Sequence, residues 1–372
     1  MAQVSSQIPY VDLARQWEEE RELLLPVIDK ALSSGQWVLG PDVENLEAKL
    51  ADYCGVAHVV TLNSGTDALV CGLHAMGVGK GHEVITPANS FIASTAAILH
   101  VGAAPVFVDV GPDQNLDVAL LDQLVSDRTR AVMPVHLTGR MADMQAVHQF
   151  ADRHGILIIE DAAQAIGAVR DGLKSGASGM TGCFSTHPLK NLNAVGDGGF
   201  LATNDEVIAE NVRLMRSHGL VDRQTAVSFG FVSRMDTVQA AILSFRLDRL
   251  NSLIFRRREI AHYYEEALLS SDVFYVAERP GEFNTYHTFV VQVDDRDGVR
   301  RRMLAAGVET SVHYPKPIHL QPAAQARGLT AECPVVESQS NRILSLPVNQ
   351  FLTDDDAQRV VATLLDAVGG SQ

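Results

Sequence analysis

Cys183-Phe184-Ser185-Thr186-His187-Pro188-Leu189-Lys190-Asn191, followed closely by Gly196-Asp197-Gly198-Gly199-Phe200, is the stretch around which the chain is organised. Cys183 to Thr186 is strand-prone, and the proline after it turns the chain so that one lysine is presented. A glycine-rich bend follows, and Phe200-Leu201-Ala202-Thr203 is a second strand-prone run. A lysine held between two strands among small residues is suited to Schiff-base chemistry, because removal from water favours the neutral amine. Taken alone, Lys190 reads first as an exposed loop lysine, the commoner fate of that residue.

Two further stretches shift the balance. Ile156-Leu157-Ile158-Ile159-Glu160-Asp161-Ala162-Ala163-Gln164 is a buried strand that delivers an acid at its carboxyl end. Asn63-Ser64-Gly65-Thr66-Asp67-Ala68-Leu69 is a strand-to-helix turn, with free backbone N–H groups and two hydroxyls at a helix N-terminus. Such a turn stabilises an anion through unpaired donors and the helix dipole. Ordinary capping by Ser64 or Thr66 would use the same residues. A lysine, an acid and an anion cradle are the three contacts that pyridoxal phosphate needs.

With these motifs in view the chain resembles the DegT/StrS-type nucleotide-sugar aminotransferases, fold-type I pyridoxal-phosphate enzymes. The resemblance rests on NSGTDAL (63–69), PVFVDV (105–110), IEDAAQAIGA (159–168), FSTHPLKNLNAVGDGG (184–199), SRMDTVQAAIL (233–243) and HYPKPIHLQP (313–322), in family order. It implies an α/β fold, with a mostly parallel sheet in a large cofactor-binding domain (1–249) and a smaller C-terminal α+β domain (250–372). The N-terminal helices could pack with the small domain. The resemblance further implies that Lys190 carries the cofactor and relays protons, while Asp161 keeps the pyridine nitrogen protonated. Gln164 would reach the phenolic oxygen, Ser64, Gly65, Thr66 and Ser185 would hold the phosphate, and Phe91 would stack on the ring. Tyr314 and His319, in the loop that closes over the sugar in relatives, are the expected substrate contacts or else structural residues.

The implied substrates are a nucleotide-linked keto-sugar and L-glutamate, in a homodimer whose active sites lie at the subunit interface. Aspartate at 197, where many relatives have glutamate, leans toward amination at C3 of the sugar, with a 4-keto sugar as the alternative. Two departures stand out. Asn89 occupies a position often aromatic, and Val232 stands where relatives use an asparagine on the partner's cofactor phosphate; Ser233 or a backbone group would have to replace it.

Composition sets outer limits. The chain has 372 residues and a formal net charge of −15, which argues against nucleic acid as a partner. No apolar run approaches the ~20 residues that span a bilayer, and the start carries neither a basic region nor an apolar core. Cys54, Cys71, Cys183 and Cys333 form no CxxC pair, which fits free thiols in a cytoplasmic protein and no metal site.

Strand and helix patterns alternate, as in a parallel α/β sheet whose ligands sit beyond the strands' carboxyl ends. His58–Leu62 is a strand and Thr66–Met76 a helix. Leu13–Ser34 is helical, interrupted or restarted at Pro26, and Pro41 opens another helix to about Tyr53. Further helices are expected over 117–126, 141–154, 206–217 and 245–269, with Arg256-Arg257-Arg258 forming a solvated face. Residues 289–293, 299–306 and 312–314 suggest a compact β-α-β unit, and 353–365 an amphipathic helix. Trp37 is either core or interface, and His136 structural or catalytic.

Three rivals are weaker. Dehydratases on this fold have histidine in place of the lysine. The run Gly77-Val78-Gly79-Lys80-Gly81 follows a helix and precedes a strand, the wrong context for a dinucleotide fingerprint. A DNA-binding regulator finds no helix-turn-helix signature and an acidic balance.

Overall fold

Strands β1 (His58–Leu62), β2 (Glu83–Pro87), β3 (Ala104–Val108), β4 (Thr129–Val132), β5 (Leu157–Asp161), β8 (Thr181–Ser185) and β9 (Gly199–Thr203) form one seven-stranded sheet, ordered β1-β9-β8-β5-β4-β2-β3. They are seen in a computed structural model that describes residues 7–370. Every pairing from β3 across to β8 is parallel, and β9 alone runs against its two neighbours. The fold is α/β with a mostly parallel sheet. Both faces are covered, which is why β2 and β9 are buried at every position.

The two-residue period of a strand divides the core. Val60, Cys183 and Leu201 point to one side, with Leu69 and Leu73 of α3 (Gly65–Ala75). Val59, Phe184, Phe200 and Ala202 point to the other, with Leu46 and Leu50 of α2 (Pro41–Cys54) and Leu243 of α7 (Thr237–Leu247). Phe184 and Phe200 are directly paired across β8 and β9, and their rings stack at 4.5 Å between centroids. Helices α4 (Ile92–His100), α5 (Met144–His154) and α6 (Glu206–Met215) complete the layers.

A second core surrounds a small antiparallel sheet of β10 (Phe274–Tyr275), β12 (Phe289–Gln292) and β13 (Ile343–Leu346). It is covered by α9 (Arg296–Ala305), α12 (Asp354–Gly369) and the second half of α8 (Leu250–Leu268). Ile8 is buried in it and bridges to Val308. Helix α8 serves both cores, since Leu250 and Ile254 pack with the large sheet and Ile260, Tyr264 and Leu268 with the small one. A minor sheet joins β6 (Val169–Arg170), β7 (Leu173–Lys174) and β11 (Glu282–Phe283), and α10 (Pro322–Gln325) and α11 (Pro334–Ser340) are short.

Several local expectations are corrected. Helix α1 (Leu13–Ser33) runs unbroken through Pro26, which is exposed, so its missing donor falls on the side open to water. Residues 117–126 hold only two 3₁₀ turns, the first capped by Asp117. The long 245–269 helix is two helices, and the break at Asp248–Arg249 allows Leu247 and Leu250 to enter one cluster. Residues 312–314 form no strand; Ser311 makes only an isolated bridge to Ser345, so the small unit is antiparallel and not β-α-β. Trp37 is 64 % exposed and therefore not a core residue. All four cysteines are buried and free, and among the described residues no helix is long and apolar enough to cross a membrane.

Candidate active site

At the carboxyl ends of β5 and β8 the chain encloses a cavity of ≈ 310 Å³, within the range of small-molecule sites. Nearly all the expected residues meet there. Ser64, Gly65 and Thr66 come from the turn after β1, Phe91 from the start of α4, and Asp161 and Gln164 from the end of β5. Ser185 and Lys190 follow β8, and Tyr314 reaches in from the loop after α9. His319 does not line it. That imidazole is buried, 2.9 Å from Glu337 and tilted against Phe107, so it packs within this loop.

The anion cradle is built from backbone and small side chains. Ser64 Oγ caps α3 by accepting from Asp67 N–H at 3.1 Å, so capping and cradle coexist in one turn. The N–H groups of Gly65 and Thr66 belong to the first turn, where a helix leaves donors without intrahelical acceptors. A Cβ on Gly65 would lie 2.8 Å from that of Ser185, so only glycine lets β8 approach this closely.

Lys190 stands on a loop tied down at several points. Its N–H donates to His187 O at 2.8 Å, and Thr186 N–H to Gly198 O at 2.8 Å. Asn191 donates to Thr285 O at 2.9 Å, and Asn193 to Pro188 O at 2.9 Å and to Gln16 of α1 at 3.0 Å. Arg246 of α7 holds Asn193 O at 2.7 Å and pairs with Glu20 of α1. The two asparagines, given no role by the sequence, therefore fix the lysine. Burial pushes the Lys190 ammonium down to about 8, against the opposing pull of the Asp161 carboxylate. An amine with that value is available as nucleophile and base near neutrality.

Asp161 is 5 % exposed and doubly held. Ser94 Oγ donates to its Oδ2 at 2.6 Å, and Ala163 N–H to its Oδ1 at 3.2 Å. Gln164 accepts from Thr138 N–H at 2.8 Å and donates to the Tyr314 hydroxyl at 3.1 Å. Burial raises the Tyr314 phenol, which stays protonated. Phe91 is 57 % exposed and tilted against Tyr314, with centroids 5.9 Å apart, so it forms an open wall of the cavity. Asn89 is buried and does not line the rim. His136 is also outside; its Nδ1 accepts from Ala142 N–H at 3.2 Å and its Nε2 lies 2.7 Å from Glu160, which makes it structural.

Sequence reasoning missed one wall. Tyr10, His287, His313 and Asn349 line the cavity, and so does Arg257, which the sequence places on a solvated face. The three consecutive arginines separate. Arg256 reaches Asp354, Arg258 pairs with Glu278, and Arg257 turns inward. Ser233 is also not a free substitute for the asparagine replaced by Val232. Its hydroxyl is buried, donating to Asn63 Oδ1 at 3.1 Å and accepting from Asn63 N–H at 3.2 Å.

These residues fit pyridoxal phosphate: a depressed lysine, a buried carboxylate facing the same space, and a helix start with unpaired donors. Comparison with known proteins agrees. Residues 18–365 match the model of the DegT/DnrJ/EryC1/StrS aminotransferase family. The chain is 41 % identical over 360 residues to the erythromycin biosynthesis sensory transduction protein EryC1 of Saccharopolyspora erythraea, covering 96 % of this chain and 98 % of that one. It is 40 % identical to the dTDP-3-amino-3,4,6-trideoxy-alpha-D-glucose transaminase of Streptomyces venezuelae, covering 95 % and 94 %. The crystal structure of S. venezuelae DesV in complex with a ketimine intermediate superposes with a TM-score of 0.94 at 38 % identity, over 97 % and 98 % of the two chains. Site and comparisons describe a pyridoxal-phosphate sugar transaminase, and the chain belongs to the DegT/DnrJ/EryC1/StrS aminotransferase family.

Proposed function

We propose that the protein transfers the amino group of L-glutamate to a nucleotide-linked keto-sugar, with a 3-keto sugar favoured. The observation that carries this reading is the meeting of Lys190, Asp161 and the start of α3 in one cavity. The 3-keto preference is supported by Asp197, which also lines the cavity, and by the 3-amino product in the name of the S. venezuelae relative. The relative named for sensory transduction raises a regulatory reading, but a retained lysine with a lowered ammonium favours chemistry.

Pyridoxal phosphate supplies an aldehyde that takes up amino groups and a cationic ring that draws electrons from the neighbouring carbon. Lys190 would hold it covalently and, once displaced by the donor, move the proton between donor carbon and cofactor. Asp161, held by Ser94, would keep a proton on the ring nitrogen. Ser64, Gly65, Thr66 and Ser185 would take the phosphate, Phe91 would cover a ring face, and Gln164 would donate to the phenolic oxygen. Tyr314 would contact the sugar.

The same reading makes the protein a cytoplasmic homodimer. Trp37, Phe91, Leu189, Val195 and Val232 are exposed apolar residues, and a second copy would cover them. It takes residues 1–249 as the cofactor domain and 250–372 as the smaller one, with α8 packing across the division.

The test is incubation with L-glutamate and a panel of dTDP- and UDP-linked 3-keto and 4-keto sugars, following 2-oxoglutarate release. Turnover with a 3-keto sugar, lost in Lys190→Ala together with the visible absorbance of the bound cofactor, is expected. Release of no 2-oxoglutarate with any sugar would refute the assignment.

A further inference from the structure

Four arginines are buried among the described residues: Arg140, Arg216, Arg246 and Arg257. Three of them pair with a glutamate, at 3.0 Å to Glu282, 2.6 Å to Glu47 and 2.7 Å to Glu20. Arg257 pairs with none. It is 7 % exposed, its single hydrogen bond is a long one of 3.2 Å to Tyr286 O, and its Nε has no partner. A buried cation without a counter-charge is costly, and proteins retain one where a ligand provides the anion.

The surroundings of Arg257 point to that ligand. It lines the same cavity as Lys190 and His287. The His287 Nδ1 is likewise buried without a partner. Burial drives His287 well below the ordinary imidazole range and His313 to about 4, so both are neutral. This wall therefore offers one fixed cation and a neutral ring beside it. The cavity's carboxylates, Asp161 and Asp197, come from other elements, and Asp161 already has its Ser94 and Ala163 donors.

We propose that Arg257 is the carboxylate-binding residue of this site, its guanidinium taking a carboxylate of the amino-acid donor. A planar guanidinium suits a planar carboxylate, and a phosphate cradle already exists at α3. The inference rests on the proposed transaminase reading, and it names the residue that would hold the donor. A carboxylate carried by the sugar presents the same chemistry to Arg257, and the two half-reactions separate the sources.

The experiment uses holoenzyme of the wild type, Arg257→Gln and Arg257→Lys, with retained visible absorbance and thermal midpoint as the check on folding. Maleate, an unreactive dicarboxylate, is titrated spectroscopically, and the glutamate and keto-sugar half-reactions are saturated separately. Loss of a charge-assisted hydrogen bond predicts at least about a tenfold weaker hold on maleate and glutamate in Arg257→Gln. Partial recovery in Arg257→Lys and an unchanged keto-sugar half-reaction complete the expected result. Weakening confined to the keto-sugar half would keep Arg257 as the carboxylate residue and move the carboxylate to the sugar. Unchanged saturation by all three ligands would overturn the proposal. If the variants do not fold, maleate must still compete with glutamate on the wild type, and failure to compete overturns it. A wild type that transfers no amino group yet binds maleate through Arg257 would refute the proposed function alone.

Discussion

Ser94 Oγ lies 2.6 Å from Asp161 Oδ2, so the acid assigned to the ring nitrogen is itself held by a hydroxyl from α4. Hydrogen bonds to charged groups contribute about 1.5–3 kcal/mol, and about 1.4 kcal/mol is a factor of ten in rate. Ser94→Ala should therefore fold, bind cofactor and lose about tenfold in kcat. Steady-state kinetics with Asp161→Asn alongside checks this, since the double variant should add little to the single Asp161 change.

The lowered Lys190 ammonium has a pH signature. Burial brings it to about 8, so capture of added cofactor by the apoprotein should slow as the amine protonates below that value and level off above it. The Asp161 charge raises the value, so Asp161→Asn should shift the midpoint down. Stopped-flow absorbance across pH 6 to 10, about two units to either side of the midpoint, measures both. A rate still rising at pH 10, as an ordinary lysine of about 10.5 would give, would contradict the burial.

Gly65 tests the cradle. Its Cβ would meet Ser185 Cβ at 2.8 Å and the Ser185 backbone at 3.1 Å. Overpacking of this kind costs about 1–3 kcal/mol. Gly65→Ala should lower the thermal midpoint and weaken cofactor binding by about tenfold, measured by equilibrium titration of the apoprotein.

The clamp behind the lysine loop should be felt in stability. Arg246 is buried and holds Glu20, Asn193 O and Asn193 Oδ1. Arg246→Met leaves Glu20 without its opposite charge, keeping only the Gln16 hydrogen bond, and should destabilise the fold by about 3 kcal/mol in urea unfolding.

His319→Gln should separate packing from recognition. It loses the contact with Glu337 and about 1 kcal/mol of stability, while the KM for the sugar stays at the wild-type value. A raised KM with unchanged stability would return His319 to the site.

Much of this was legible because strands and turns are local. His58–Leu62, the end of β5 at Asp161 and the two strands flanking Lys190 follow from short apolar runs closed by small or turn-forming residues. The misreadings share a physical origin. Successive helical residues point about 100° apart, so three arginines in a row cannot share one face, and which one turns inward is decided by tertiary packing. Pro26 gave no hint of its orientation to solvent. Ser94 and Asn193 are small polar residues in α4 and in a loop, and nothing local distinguishes their partners, which lie 67 and 177 residues away.

Asp161 ends β5 and Lys190 stands on the loop that follows the adjacent strand β8, with Asp161 in register with Cys183. Their separation is thus governed by the spacing of two hydrogen-bonded backbones, about 4.8 Å, together with a short tethered loop. Side chains can drift around such a frame, and the sugar-facing wall can be rebuilt, without moving the two groups apart. A backbone-dimensioned centre of this kind lets one architecture exchange its specificity while keeping its chemistry.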